Sequence, residues 1–100
     1  MKKNKNGMDY QLIDNKTNNQ YEFHVGEFTP KVEYYKTGDK IYLTHVEVPV
    51  QLQGKGIGNI LVNEVLEDIK QNGLSLVPLC PFVAAYIKRH PEWNFLVSKE

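Results

Sequence analysis

Three glycines at alternate positions, Gly54, Gly56 and Gly58, have the spacing in this chain that most clearly indicates chemistry. They follow KIYLTHVEVP, which alternates like a β-strand, and they precede ILVNEVLEDIKQN, which has the apolar spacing of an amphipathic helix. Glycine lets the backbone turn tightly and approach a ligand closely. The first turn of a helix has unpaired N–H groups at the positive end of its dipole. This order predicts an anion-binding site, although the same glycines could form a plain connecting loop.

The spacing of the glycines argues against two common phosphate loops. A Walker A loop needs Gly-Lys followed by Ser or Thr to bind magnesium, whereas Lys55 is followed by Gly56. A Rossmann fingerprint reads G-x-G-x-x-G, whereas residues 54–59 read GKGIGN. We therefore expect neither nucleoside triphosphate hydrolysis nor binding of a dinucleotide in the Rossmann manner. Lys55 itself either contacts a phosphate or is simply solvated.

Two further residues could take part in chemistry. Cys80 follows a short apolar run, residues 74–79, and precedes Pro81, which suits the first position of a helix. A helix N-terminus favours the thiolate form of cysteine, so Cys80 is either a functional thiol or a small buried hydrophobe. His45 lies in the alternating segment before the glycines, and it is either a general base or a hydrogen-bonded structural residue.

Length, composition and charge limit the class of protein. The chain has 100 residues, 41% of them hydrophobic, so we expect a tail over residues 1–7 and one globular domain over residues 8–100. Its 12 Lys and Arg balance its 12 Asp and Glu, which argues against a dedicated partner of nucleic acid or membrane surfaces. A single cysteine excludes an internal disulfide and favours a cytoplasmic setting. We expect no signal peptide, no membrane span and no metal site.

Four strands are predicted before the glycines. Residues 8–13 and 20–26 flank the polar turn DNKTNN, residues 27–35 form a third strand, and residues 40–48 form the fourth. Strict alternation divides the fourth strand into two faces. One face is Ile41, Leu43, His45 and Glu47, and the other is Tyr42, Thr44, Val46 and Val48.

Two helices and a fifth strand are predicted after the glycines. A helix over residues 56–72 leads to a buried strand over residues 74–79, and a strand, a crossover helix and a strand imply a parallel pair. A second helix opens at Pro81, and residues 94–98 could add a short last strand. The predicted fold class is α/β (α+β): an antiparallel meander of about four strands, the glycine loop, the crossover helix, a parallel fifth strand and a C-terminal helix.

Two motifs in this framework resemble one known superfamily. Gln53-x-x-Gly56-x-Gly58 is similar to the Q/R-x-x-G-x-G/A loop of the GNAT superfamily of N-acetyltransferases. A second set resembles a small GNAT-like subfamily of about this length, described as predicted acetyltransferases: Pro78-x-Cys80-x-Phe82, Tyr86, His90-Pro91 and Trp93. The similarity covers residues 44–97, about half of the chain.

The resemblance implies a cofactor and a site. In the superfamily, the loop amides hold the pyrophosphate of coenzyme A, and the pantetheine arm lies where the fourth and fifth strands splay apart. The thioester of acetyl-CoA would then sit near Val46 and Val48, where a backbone N–H can polarise its carbonyl. The cofactor-binding residues implied in this chain are Val46, Val48, Gln53, Gly54, Lys55, Gly56, Ile57, Gly58 and Asn59.

The candidate catalytic residues are Cys80, His45 and Tyr86. Tyr86 would correspond to the tyrosine that often acts as general acid in the superfamily, although its spacing from the preceding strand differs. The implied activity is transfer of an acetyl group from acetyl-CoA to an amine, on a protein lysine or a small molecule. Transfer is either direct or through an acetyl-Cys80 intermediate. The oligomeric state stays open.

A second class of function also fits this chain. Larger members of the superfamily have two helices after their first strand that help to form the acceptor wall, and this chain has only a turn there. The superfamily's frequent glutamate base on the fourth strand also has no assigned counterpart. The alternative function is therefore a non-catalytic module that binds coenzyme A or acyl-CoA.

Overall fold

A computed structural model describes residues 10–99, so the tail expected over residues 1–7 lies outside the described residues. Five strands form one sheet in chain order: β1 (Ile13–Asn15), β2 (Gln20–Glu22), β3 (Lys31–Thr37), β4 (Lys40–Glu47) and β5 (Ser75–Pro78). The first four pair antiparallel, and β5 pairs parallel to β4. The predicted meander with a parallel fifth strand is confirmed.

Two α-helices follow β4 and β5. Helix α1 (Ile57–Gln71) connects these two parallel strands, and α2 (Pro81–Arg89) follows β5 with Pro81 in its first turn. Short 3-10 segments, Val50–Leu52 and Pro91–Leu96, lie before α1 and after α2. Within residues 10–99, neither helix has the length and apolar character that crossing a membrane requires.

The predicted bounds of the first three strands are wrong, and the predicted last strand is largely absent from the described residues. Residues 10–12 lie outside the first strand, which runs from Ile13 to Asn15, and residues 8 and 9 of that prediction lie outside the described residues. The second strand ends at Glu22 and not at residue 26, and the third begins at Lys31, directly after Pro30. Pro30 lacks an N–H for the ladder, and only its carbonyl takes part, accepting the Phe23 N–H at 3.1 Å. The strand predicted over residues 94–98 is mostly 3-10 helix, and only Val97 forms a parallel bridge, to Leu76 of β5.

An irregularity in the β3–β4 ladder changes the phase of β4. Tyr34 of β3 pairs with Leu43, and the residue before it, Glu33, pairs with His45. Thr44 is therefore an extra residue on β4, which is the arrangement of a β-bulge. Such an insertion reverses the side to which every following side chain points.

The bulge makes the predicted faces of β4 wrong beyond Leu43. Directly paired residues share a face, so Val46 lies on the same side as its buried partner Val32. That side also carries the buried Ile41 and Leu43. His45, which strict alternation placed with Ile41 and Leu43, lies on the opposite and exposed face.

A partly buried polar contact joins the sheet to α1. The hydroxyl of Tyr21 on β2 donates to the Asp68 carboxylate of α1 at 2.7 Å, and Asn72 donates to the same carboxylate at 3.0 Å. Burial, followed by the hydrogen bond to Asp68, raises the pKa of Tyr21 well above its ordinary range. The core of the described residues contains side chains with no exposed area: Tyr21, Phe23, Val32, Ile41, Leu43, Leu61, Val62, Val65, Leu66, Ile69, Leu76 and Val83.

The raised pKa of Tyr21 predicts how stability responds to alkaline pH. In the unfolded chain this tyrosine ionises near pH 10, whereas the folded state keeps it protonated, so its contribution is complete below about pH 10 and is lost as the pH rises further. Tyr21→Phe should cost about 1 kcal/mol at pH 7. The wild type should lose about 1.4 kcal/mol relative to the variant over the first pH unit above 10, so the deficit should disappear by about pH 11. Urea unfolding at pH 7, 10 and 11 measures the change.

Tyr35→Phe is the matched control for this prediction, because Tyr35 is an exposed tyrosine of the neighbouring strand. The stability of this variant should follow that of the wild type at each pH. A deficit of Tyr21→Phe that stays constant from pH 7 to pH 11 would contradict the buried, protonated state of Tyr21.

Candidate functional site

The ladder between β4 and β5 stops before the end of β4. Pairing runs from Lys40 and Ser75 to Leu43 and Pro78. The backbone N–H of Cys80 then donates to the Leu43 carbonyl at 2.9 Å, and α2 begins at the next residue. The segment of β4 beyond Leu43 therefore continues without a paired β5 residue beside it in the described sheet.

Glycine is needed at these three positions for two different structural reasons. Gly54 and Gly56 have φ of +83° and +74°, in the left-handed region that strains residues with a Cβ. A Cβ on either would meet no atom within 4 Å, so both face open space. Gly58 lies in α1, where a Cβ would be 3.0 Å from Cζ of Phe82 and 3.4 Å from Cγ2 of Val48. Close packing explains glycine at this third position.

The first turn of α1 presents backbone donors. The Ile60 N–H donates to the Gly56 carbonyl at 3.1 Å, so the amides of Ile57, Gly58 and Asn59 come before the first bond of the helical ladder. Gly56 supplies no side-chain cap, and the first turn has no acidic residue. Unpaired amides at the positive end of a 15-residue helix favour an anionic ligand.

A cavity of about 340 Å³ lies against this first turn. Its walls are formed by Val46, Val48, Leu52, Gln53, Gly54, Gly56, Ile57, Gly58, Asn59 and Phe82. The structure thus brings together every residue that the sequence predicted for cofactor binding except Lys55, which is exposed outside the cavity wall. Leu52 and Phe82 also line the cavity, and the sequence analysis did not predict them there. The subsequence Pro78-x-Cys80-x-Phe82 was a usable signal for Phe82, and Leu52 has no such signal.

Gln53 connects the loop to the end of β4. Its side-chain Nε2 donates to the Val48 carbonyl at 3.1 Å, and its backbone N–H donates to the Val50 carbonyl at 3.2 Å. Both bonds stabilise the turn from β4 into the glycine loop. The Gln53 side chain therefore shapes one wall of the cavity through its bond to Val48.

The candidate catalytic residues do not line this cavity. Cys80 is buried in the core at the N-cap of α2. His45 is about half exposed on the opposite face of β4, with its Nε2 at 3.3 Å from Glu47 Oε1. The structure places both near the end of the β4–β5 ladder, but it does not gather them into one constellation.

Tyr86 is held between the two helices. Its hydroxyl donates to Asn63 Oδ1 of α1 at 3.2 Å, and its ring stacks on His90 with the centroids 4.1 Å apart. Burial, together with the nearby Glu92 carboxylate, raises the pKa of Tyr86. The hydroxyl therefore stays protonated at neutral pH and is committed to Asn63.

The fold and the cavity agree with a known class of enzyme. The chain matches the family model of the GCN5-related N-acetyltransferases over residues 20–96, and it therefore belongs to this family. It is an acetyltransferase. Residues 10–99 contain no group of three or more His, Cys, Asp or Glu side chains that could hold a metal ion.

A solved structure shows the same fold. The NMR solution structure of a GCN5-like candidate N-acetyltransferase from Staphylococcus aureus superposes with a TM-score of 0.67 at 19% sequence identity. The match covers 88% of this chain and 87% of that one. A comparison with curated proteins finds no match.

The left-handed conformation at Gly56 yields a prediction about stability. Gly56→Ala should lower the free energy of unfolding by about 1–2 kcal/mol, because a Cβ strains this backbone conformation. Gly56→Asn should cost less, because asparagine tolerates the left-handed region. Urea unfolding measures both, with Lys55→Ala as the control expected within about 0.5 kcal/mol of the wild type. An alanine variant no less stable than the asparagine variant would show that the loop does not need this conformation.

Proposed function

We propose that this acetyltransferase uses acetyl-CoA and transfers its acetyl group to an amine, on a protein lysine or a small molecule. The observation that carries the proposal is one cavity shared by two features. The first residues of α1, Ile57, Gly58 and Asn59, lie in its walls. So do Val46 and Val48, which have no β5 partner on the side of the strand that faces away from β3.

The residues present fit a phosphorylated cofactor. The first turn of α1 has no carboxylate that would repel a pyrophosphate, and Gly54 and Gly56 leave the loop open above the amides. The cavity volume of about 340 Å³ is within the usual range for small-molecule pockets. Val46, Val48 and Phe82 add apolar surface for the less polar part of the ligand.

The chain's own backbone performs most of the proposed chemistry. Acetyl-CoA supplies an acetyl group activated as a thioester. The amides of α1 bind the pyrophosphate, and the segment from Val46 to Val48 pairs with the pantetheine arm as with an added strand. A backbone N–H of that segment stabilises the negative charge that develops on the thioester oxygen. The amine attacks the thioester carbonyl carbon in its neutral form, a C–N bond forms, and the C–S bond breaks. Coenzyme A leaves as the thiolate and takes up the proton that the nitrogen loses, so that the products are an amide and the free thiol.

The position of Cys80 favours direct transfer over an acetyl-Cys80 route. Its side chain is buried in the core, outside the cavity wall. Tyr86 acts as a positioning residue in this proposal, because its hydroxyl is bound to Asn63. His45 lies on the far face of β4, where it could accept a proton from an amine that arrives from that side. A cytoplasmic location stays a prediction from the single cysteine.

Coenzyme A should stabilise the folded protein. At 100 times its dissociation constant, a ligand adds about 2.7 kcal/mol, which for a domain of this size is roughly a 10–20 °C rise in Tm. Gly56→Val and Gly58→Val should reduce this rise far more than Lys55→Ala. Branched side chains would strain the loop or fill the space beside the amides of the first turn of α1, which we call the amide cradle. Lys55, by contrast, is an exposed charge. Thermal-shift titrations of the four proteins measure the effect.

Two results would contradict this assignment. If the Tm of the wild type did not change at millimolar coenzyme A, the assignment of coenzyme A as the ligand would be wrong. If Lys55→Ala reduced the rise in Tm more than both glycine variants do, binding of the ligand by the amide cradle would be wrong. Turnover of acetyl-CoA with candidate amines then tests the proposed class of acceptor.

Direct transfer makes a separate prediction for Cys80. Cys80→Ser and Cys80→Ala should keep the turnover number and lose only stability, since the thiol is packed and not reactive. Mass spectrometry after incubation with acetyl-CoA alone should show no added acetyl group on the wild type. Loss of nearly all turnover in both variants, with one acetyl mass on the wild-type protein, would establish the acetyl-Cys80 route instead.

A further inference from the structure

Phe82 is the residue that α2 contributes to the cavity wall. Its exposed fraction is 39%, whereas Val83, Tyr86 and Ile87 of the same helix are buried. An aromatic ring that remains partly open at a cavity wall has apolar area that a ligand can cover. Phe82 thus differs from its neighbours, whose apolar area is already used in the core.

Three elements meet at this ring. A Cβ on Gly58 would lie 3.0 Å from Cζ and 3.6 Å from Cε1 of Phe82, and 3.4 Å from Cγ2 of Val48. The ring therefore packs on the first turn of α1, and that turn packs on the end of β4. The proposed phosphate donors and the proposed strand partner of the pantetheine arm both border the ring.

Contacts near each end of α2 keep the ring in place. The Cys80 N–H donates to the Leu43 carbonyl at 2.9 Å, which ties the start of the helix to β4. One turn after Phe82, the Tyr86 hydroxyl donates to Asn63 of α1 at 3.2 Å. A ring held in advance can bind a ligand without the cost of ordering a mobile side chain.

We infer that Phe82 packs against the pantetheine arm and determines specificity for whole coenzyme A over its nucleotide part. The inference rests on the proposed function and adds a residue to it. An apolar ring favours the methylene and methyl groups of pantetheine, whereas the pyrophosphate depends on the backbone amides. The two parts of the ligand therefore depend on different groups of the protein.

Two ligands separate these contributions. Calorimetric titration with coenzyme A and with adenosine diphosphate, which has the pyrophosphate but no pantetheine, compares the wild type with Phe82→Ala and Phe82→Leu. Phe82→Ala should raise the Kd for coenzyme A about tenfold, a change of about 1.4 kcal/mol, and Phe82→Leu should raise it less. Competition against coenzyme A gives the affinity for adenosine diphosphate. In both variants this affinity should stay within about twofold of the wild-type value.

Phe95→Ala is the matched control. Phe95 is an aromatic residue with an exposed fraction of 65% that stacks on Trp93, and it is not among the residues of the cavity wall. This variant should bind both ligands as the wild type does. Equal losses for both ligands in Phe82→Ala would show that Phe82 acts only through the fold of the first turn of α1. That result, or an unchanged affinity for coenzyme A, would overturn the inference.

A double-mutant cycle tests the same contact without adenosine diphosphate. Gly58→Ala should push the ring into the cavity and raise the Kd for coenzyme A in the wild-type background. In the Phe82→Ala background, the factor by which Gly58→Ala raises this Kd should be at least about threefold smaller. Additive effects would overturn the inference. A wild type that binds neither ligand would overturn the proposed function itself, and this outcome is recognised before any variant is made.

Discussion

A single extra residue in β4 decides where this site can form. Thr44 has no partner of its own in the β3–β4 ladder, so the chain beyond it changes phase. Val46 and Val48 consequently reach the side of the sheet where α1 begins and where the cavity lies. The parallel ladder with β5 ends at Leu43, next to the bulge, and this leaves the same segment without a β5 partner on the side that faces away from β3. The cavity wall, and the strand pairing proposed for the ligand, therefore both depend on one local irregularity.

The cavity also depends on how firmly the two helices are held. Helix α1 is tied to the sheet by the bond from Tyr21 to Asp68, at its far end from the glycine loop. The bond from Tyr86 to Asn63 ties α2 to α1 near the cavity. Small movements of either helix would move the amide donors relative to β4. Because both bonds involve partly buried side chains, each costs free energy to break, and this supports a preorganised site.

The part of the cavity proposed for the cofactor is built more completely than any acceptor site among the described residues. The amides, the glycines and the apolar wall converge, whereas Cys80 and Tyr86 are committed to packing and hydrogen bonding and His45 lies on the opposite face. Binding and orientation of a thioester by backbone groups account for the proposed transfer with few side chains. The family establishes acetyl transfer, and the geometry favours a route that relies on positioning.

The sequence by itself determined the order of the strands and helices, the family and the glycine loop, because periodicity and loop motifs join residues that are neighbours in the chain. The tertiary structure alone decided the faces of β4 after Thr44, the burial of Cys80 and the place of Phe82. The partner of His45 is Glu33, twelve residues away, and the ring of Phe82 meets Gly58 on another helix. Such contacts arise from strand pairing and close packing between distant segments, and local alternation contains no information about them.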